Sequence, residues 1–358
     1  MFITVRSFAK INLGLSIGPL RPDGFHELRT VYQTIALHDL IRVQVVRGTG
    51  IEIRCEDSRV PRDQSNTCYR IVELAMAALK ARGRVTIEIE KRLPVQGGLG
   101  GASGNAVATL LGLEWALKKE LPGQEKLRIA AEVGSDLPLF LVGGTVLGVA
   151  HGEEVYPLPD LTVVPCVVAT PDIGVSTPQA FADWDARMCS AGALAREAVE
   201  LRSTRTAEGG RPHTSRGAAL TALTPSDRML EFGRVLSAWL GSQNKAKFGK
   251  GLSGVSASGR GRAETPLLDL VRTGIENDFE QVVFPQHPEL REVKSVLLRA
   301  GAFYASLSGS GSALYGLFRN RAAAGRAAAR LRRSGVEAQV TTTLTRPQYW
   351  RKFPVSGF

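Results

Sequence analysis

The chain has 358 residues, 44% hydrophobic and 22% charged, with a formal charge of +11. That length can bury a substantial core, suggests two domains of ordinary size, and excludes a stapled mini-protein. Its four cysteines, Cys55, Cys68, Cys166 and Cys189, lie far apart, with no CxxC pair and no histidine at metal-ligand spacing. Neither a disulfide framework nor a zinc site is therefore expected. With no leader-like start at Phe2 and no run of about 20 apolar residues, the reading is a cytoplasmic protein without membrane contact.

The first predicted element is a strand, Ala9 to Ile17, whose apolar and polar residues alternate so that Lys10 and Asn12 share one face. Arg21-Pro22-Asp23-Gly24 reads as a turn. Ile41–Val45 and Ile51–Arg54 are further strands, and Asn66 is the expected N-cap of a helix from Cys68 to Ala81 with Ile71, Leu74, Ala75 and Leu79 at helical spacing. A strand over Val85–Glu90 leads through Lys91-Arg92-Leu93-Pro94 into a glycine-rich loop and a long Ala/Leu-rich helix. A second helical stretch around Leu127–Val133 precedes Gly134-Ser135-Asp136-Leu137-Pro138.

A domain change is expected near residue 160, giving an N-terminal domain over 1–160, a C-terminal domain over 161–345 and a tail over 346–358. Leu161–Ala169 reads as a buried strand. Between Arg196 and Arg262, 12 Lys plus Arg stand against 5 Asp plus Glu in Gly-, Ser- and Thr-rich sequence. This basic insert, about 202–263, is read as a solvated loop, because aromatic residues for base stacking are sparse in it. Helical and strand patterns return from Pro266 to Thr343.

Three segments carry chemistry. In Pro94-Val95-Gln96-Gly97-Gly98-Leu99-Gly100-Gly101-Ala102-Ser103-Gly104, glycines between a strand and a helix leave backbone N–H groups and the positive helix end facing an anion. The loop does not satisfy GxGxxG, and no GxxxxGK[ST] occurs, so dinucleotide-fold and P-loop readings lose support. Asp136 places a carboxylate at the start of an apolar stretch. It either caps a helix or pairs with a cation, and beside Lys10 it could accept a hydroxyl proton during phosphoryl transfer. Ser308-Gly309-Ser310-Gly311-Ser312 lies between two apolar strands and is kept small for the approach of a ligand or another backbone.

In this order, Lys10-Ile11-Asn12-Leu13, Pro94 to Ala106 and Ser308 to Ser312 resemble the three motifs of the GHMP kinases. Further segments, Arg21-Pro22-Asp23-Gly24-Phe25-His26-Glu27-Leu28, Gly134 to Pro138 and Asn277-Asp278-Phe279-Glu280, resemble the branch that phosphorylates a cytidine-diphosphate-linked methylerythritol in non-mevalonate isoprenoid synthesis. The resemblance implies an α+β fold of two domains, ribosomal-protein-S5-like and then ferredoxin-like, with ATP and substrate in the cleft between them and magnesium accompanying the ATP. It implies Lys10 and Asp136 as the catalytic pair. Asn66, Lys91, Pro94, Gly97, Gly98, Leu99, Gly100, Gly101, Ala102 and Ser103 would bind ATP, and Asn12, Phe25, His26, Thr177 and Phe181 the second substrate, with Phe25 and Phe181 clamping its base. Metal ligands stay unassigned, since Gly104 stands where the family tends to carry a serine. Monomer and homodimer are both compatible, and no nucleic-acid partner is expected. The alternatives are a GHMP kinase for mevalonate or homoserine, which needs no base clamp, and a nucleic-acid-binding module.

Overall fold

The computed structural model describes residues 1–95, 97–189, 226–234, 236–237 and 275–355. Its backbone is a long antiparallel ribbon. β1 (Ile3–Leu20) pairs along its length with β2 (His26–Val46), and the turn predicted at Arg21–Gly24 joins them. The free edge of β2 binds β4 (Arg84–Glu90) at one end and β5 (Thr145–Val149) at the other. β3 (Ile51–Cys55) and β6 (Glu154–Pro157) complete the order β3-β4-β2-β5-β6. Since β1 is buried on both faces through most of its length, one face packs on helices and the other on the second sheet.

α1 (Thr67–Ala78) begins at Asn66, whose Oδ1 accepts from the Cys68 N–H at 2.8 Å, the cap the sequence predicts. α2 (Gly101–Leu117) is a helix with buried residues from Gly104 through Glu114, as expected of one enclosed on all sides. With α3 (Gly123–Val133) and α4 (Leu137–Val142) it covers the first sheet over a core of Val5, Phe8, Ile41, Val43, Ile87, Leu110 and Phe140.

A second sheet follows, in the order β10-β7-β9-β8, from β7 (Pro165–Thr170), β8 (Tyr304–Leu307), β9 (Leu314–Leu317) and β10 (Glu337–Thr342). Helix α5 (177–189), α7 (Glu280–Gln286), α8 (Pro288–Arg299) and α9 (Arg321–Arg333) pack against it around Trp184, Phe279 and Phe318. A third cluster joins Ala9, Ile11 and Leu13 of β1 to Cys166, Val168, Tyr315 and Leu317, and so sits between the two sheets.

Two expectations change. Residues 226–234 of the basic segment form a helix, α6, with Met229 and Phe232 buried in the molecule, and Arg29 donates to the Met229 carbonyl at 2.6 Å. That part is packed structure rather than solvated loop, and the rest of the insert lies outside the described residues. The second concerns the end of the chain, where a helix, α10 (Arg346–Lys352), replaces the expected tail. Thr345 and Gln348 cap it reciprocally, and Tyr349 and Phe353 enter the first core, with the Tyr349 hydroxyl donating to the Phe140 carbonyl at 2.7 Å.

Candidate active site

The three segments singled out in the sequence meet at one point. The backbone N–H of Lys10 donates to the Leu99 carbonyl at 2.9 Å, which seats the glycine loop on β1. The β8–β9 loop lies on the other side. Ser308 Oγ donates to the Gly98 carbonyl at 2.9 Å, and the Ala313 N–H to Gly97 at 3.2 Å. Of the two reasons the sequence offers for a small-residue loop, close approach of another backbone is therefore realised. Asn277 braces that loop, its Nδ2 donating to Leu307 and Gly309 at 3.0 and 2.8 Å.

The contact leaves no room for a side chain. A Cβ on Gly98 would lie 2.1 Å from the Ser308 carbonyl oxygen, and the residue has φ +75°. Gly98→Ala is expected to cost about 1–3 kcal/mol for overpacking and about 1–2 kcal/mol more for the left-handed backbone. A urea titration checks this; a variant with unchanged midpoint would show that the two loops part without cost.

Behind these loops, Lys10 is buried. Its Nζ lies 2.8 Å from Asn12 Oδ1 and 3.2 Å from Asp136 Oδ2. Asn12 Nδ2 donates in turn to Thr30 Oγ1, so the amide is held with its oxygen toward the lysine. Asp136 occupies the N-cap position of α4 without a side-chain capping bond, and its carboxylate keeps about a third of its surface exposed. Of the two structural roles open to it in the sequence, pairing with a cation is the one observed. An ammonium held beside a partly open carboxylate can offset charge on a transferred group while the carboxylate receives a proton.

The start of α2 opens beside this pair. Its Gly100 N-cap makes no side-chain capping bond, so the backbone N–H groups at Gly101–Ser103 are left for another acceptor. A cleft of about 350 Å³ runs from there, lined by Val60, Pro61, Asn66, Lys91, Pro94, Gly97 through Ser103, and Asn105. Every residue assigned to ATP in the sequence borders it. Two of them are already engaged, however. The Asn66 amide caps α1 and donates to the Pro61 carbonyl at 2.6 Å, and Lys91 Nζ lies 2.6 Å from Asp39 Oδ2. Cys68 also lines the cleft, and burial pushes its thiol up to about 12, so it stays protonated and unreactive.

Asp39 is the anchor that sequence reading overlooked. It is fully buried in β2, with Oδ1 accepting from the Arg92 and Leu93 N–H groups at 2.7 Å each. Oδ2 takes Lys91 and, at 3.0 Å, Asn105 Nδ2. The signal was present: a carboxylate inside the apolar strand Ile35–Val43 requires partners. The Asn105 Oδ1 faces no protein donor.

The second group of predicted residues is reached along α5. Thr177 Oγ1 and Ser310 Oγ are 2.7 Å apart, and Phe181 lies one helical turn farther on. Phe181 stacks on His26 with centroids 5.2 Å apart and planes within 6°. His26 is buried, with Nδ1 3.1 Å from the Gly18 carbonyl and Nε2 3.2 Å from Asp185. Phe25 points elsewhere: its ring is tilted on His151 at 4.7 Å and stays largely exposed. Phe181 therefore has His26 as its neighbour, and Phe25 has His151, so the expected Phe25–Phe181 clamp is not a preformed ring pair. The split follows from the hairpin: Phe25 closes the Arg21–Gly24 turn, its carbonyl accepting from the Arg21 N–H at 2.7 Å, while His26 is the first residue of β2 and is buried.

Comparison with known proteins fits this geometry. The family profile described as GHMP kinases N terminal domain matches residues 66–144, and that described as GHMP kinases C terminal matches residues 264–337. A 4-diphosphocytidyl-2-C-methyl-D-erythritol kinase of Solibacter usitatus (strain Ellin6076) is 36% identical over 323 residues, covering 90% of this chain and 83% of the relative. The chain belongs to the 4-diphosphocytidyl-2-C-methyl-D-erythritol kinase family of GHMP kinases. The kinase of that name from Acaryochloris marina (strain MBIC 11017) is 33% identical, with 90% of this chain and 88% of the relative covered. Among solved structures, a 4-(cytidine 5'-diphospho)-2C-methyl-D-erythritol kinase superposes with TM-score 0.64 at 28% identity, covering 95% of this chain and 99% of that one. A homoserine kinase from Cytophaga hutchinsonii reaches the same TM-score at 17% identity, which reflects the shared GHMP kinase fold. No helix among the described residues is long and apolar enough to cross a membrane.

Proposed function

We propose that this kinase transfers the γ-phosphoryl group of ATP to the 2-hydroxyl of 4-diphosphocytidyl-2-C-methyl-D-erythritol. The observation that carries the reading is the convergence of the Lys10–Asp136 pair, the open N-terminus of α2 and the Ser308–Ser312 loop at one point. The base-sized aromatic group of His26 and Phe181 is joined to that point through Thr177. The cleft beside α2 receives the nucleoside of ATP. Its phosphates meet the N–H groups of Gly101–Ser103, where the helix end favours negative charge.

The acceptor hydroxyl oxygen attacks the γ-phosphorus as the bond to the ADP oxygen breaks. Its proton passes to the Asp136 carboxylate, and Lys10 offsets charge on the moving phosphoryl oxygens. When bound, magnesium would supply positive charge to the triphosphate, and the Ser103 hydroxyl, which lines the cleft beside the glycine loop, would be a side-chain oxygen able to hold it. Phe181 offers the cytosine a flat face, and His26, fixed by Gly18 and Asp185, sits behind it. Phe25 is exposed at the hairpin tip, so closing on the other side of the base requires its ring only to leave His151.

The test is phosphoryl transfer from ATP with magnesium to the cytidylyl substrate, run beside mevalonate and homoserine, with products identified by mass. Product from the cytidylyl substrate alone is expected. Product from mevalonate or homoserine instead would overturn the substrate assignment and leave the kinase chemistry standing.

A further inference from the structure

Asp136 has a second partner that the mechanism above does not use. The Tyr32 hydroxyl donates to Asp136 Oδ1 at 2.9 Å while Lys10 Nζ holds Oδ2 at 3.2 Å. Both carboxylate oxygens are thus engaged by donors from neighbouring strands of the same ribbon, Lys10 from β1 and Tyr32 from β2. We infer that Tyr32 is a positioning residue for phosphoryl transfer, acting through Asp136 by fixing the plane of its carboxylate relative to Lys10.

The physical case rests on what one donor cannot do. The terminal torsion of an aspartate is broad and roughly two-fold, so an ion pair to one oxygen leaves the carboxylate free to swing. A second donor on the other oxygen defines the plane and directs the remaining lone pairs toward the acceptor side. Tyr32 is well placed for this. It is 2% exposed, and its ring lies under Lys10, with Nζ 5.4 Å from the centroid, so one side chain contacts both members of the pair.

Burial and the neighbouring Asp136 charge push the phenol well above its ordinary range, which keeps it a proton donor. The opposite turn is shaped around the hydroxyl: a Cβ on Gly152 would fall 2.5 Å from the Tyr32 oxygen and 4.0 Å from Asp136 Oδ1. A phenylalanine would fill the same apolar space, so packing does not account for a hydroxyl at this point.

The inference rests on the kinase reading above, and its test is a double-mutant cycle in the full chain: wild type, Tyr32→Phe, Asp136→Ala and the double variant. Each is assayed for kcat and both KM values with ATP and the cytidylyl substrate, and for its urea midpoint. Tyr32→Phe is expected to lower kcat about 10-fold, as for loss of a hydrogen bond to a charged group, with both KM values within about 2-fold of wild type. In the Asp136→Ala background the same change is expected to lower kcat by less than about 2-fold, because its target is already gone. An equal loss in both backgrounds, or no loss in either, would overturn the inference.

The urea midpoints need no substrate. The two single substitutions should be non-additive if the pair is coupled, and additive midpoints would reject the coupling even if the acceptor proved to be another alcohol. Absence of product from the wild type would therefore count against the substrate assignment, and the midpoints would still decide whether Tyr32 and Asp136 are coupled.

Discussion

In the Asp136→Asn enzyme, turnover is expected to fall by about 10²-fold or more, while affinity for ATP stays close to that of the wild type. Asparagine is nearly isosteric, and its side-chain oxygen can still accept from Lys10 or Tyr32, so the pocket should keep its shape. What disappears is the negative charge and the ability to receive the hydroxyl proton. The nucleotide cleft is lined by residues between Arg59 and Asn105 and not by Asp136, which is why ATP binding is separable from the loss. Steady-state kinetics with an equilibrium measurement of ATP binding check both halves. Turnover within a few-fold of wild type would remove Asp136 from proton transfer and leave it as the counter-ion of Lys10.

The second large effect is on stability and is reached from the other end of the glycine loop. Asp39→Ala is expected to destabilise the fold by about 3–5 kcal/mol, the scale for removing one partner of a buried ion pair. Lys91 would keep its ammonium in a largely buried site, and the Arg92 and Leu93 N–H groups would lose their acceptor. The effect should spread to the nucleotide site, because a Cβ on Gly101 would stand 3.3 Å from Lys91 Nζ, placing that charge beside the open end of α2. Urea unfolding gives the first quantity and ATP titration the second. A loss under about 1 kcal/mol would mean that water replaces the carboxylate around Lys91.

Much of this site can be read along the chain because its parts are local patterns. The alternation over Ala9–Ile17 puts Lys10 and Asn12 on one face, and they hydrogen-bond to each other. The Asn66 cap, the strand before the glycine loop, the helix after it and the two short strands around Ser308–Ser312 depend on neighbours a few residues away. Two segments carried a readable signal that composition obscured. In 226–237, Met229, Phe232 and Leu236 fall at helical spacing, but the Gly-, Ser- and Arg-rich surroundings masked the period. At the C-terminus, Thr345-Arg346-Pro347-Gln348 is a capping-box start followed by Tyr349 and Trp350.

By itself, the sequence determined the order of elements, the three motifs and the residue types they bring, because periodicity, capping and glycine content act over a few residues. Tertiary structure alone decided the pairings that make a site of them. Lys10 with Asp136, Tyr32 with Asp136, Lys91 with Asp39 and Gly98 with Ser308 each join segments far apart in the chain. It also decided that Phe25 turns to His151 while Phe181 turns to His26. The physical reason is that a charged or polar side chain taken out of water must find a partner, and which partner it finds depends on how the ribbon, the helices and the second sheet pack around it.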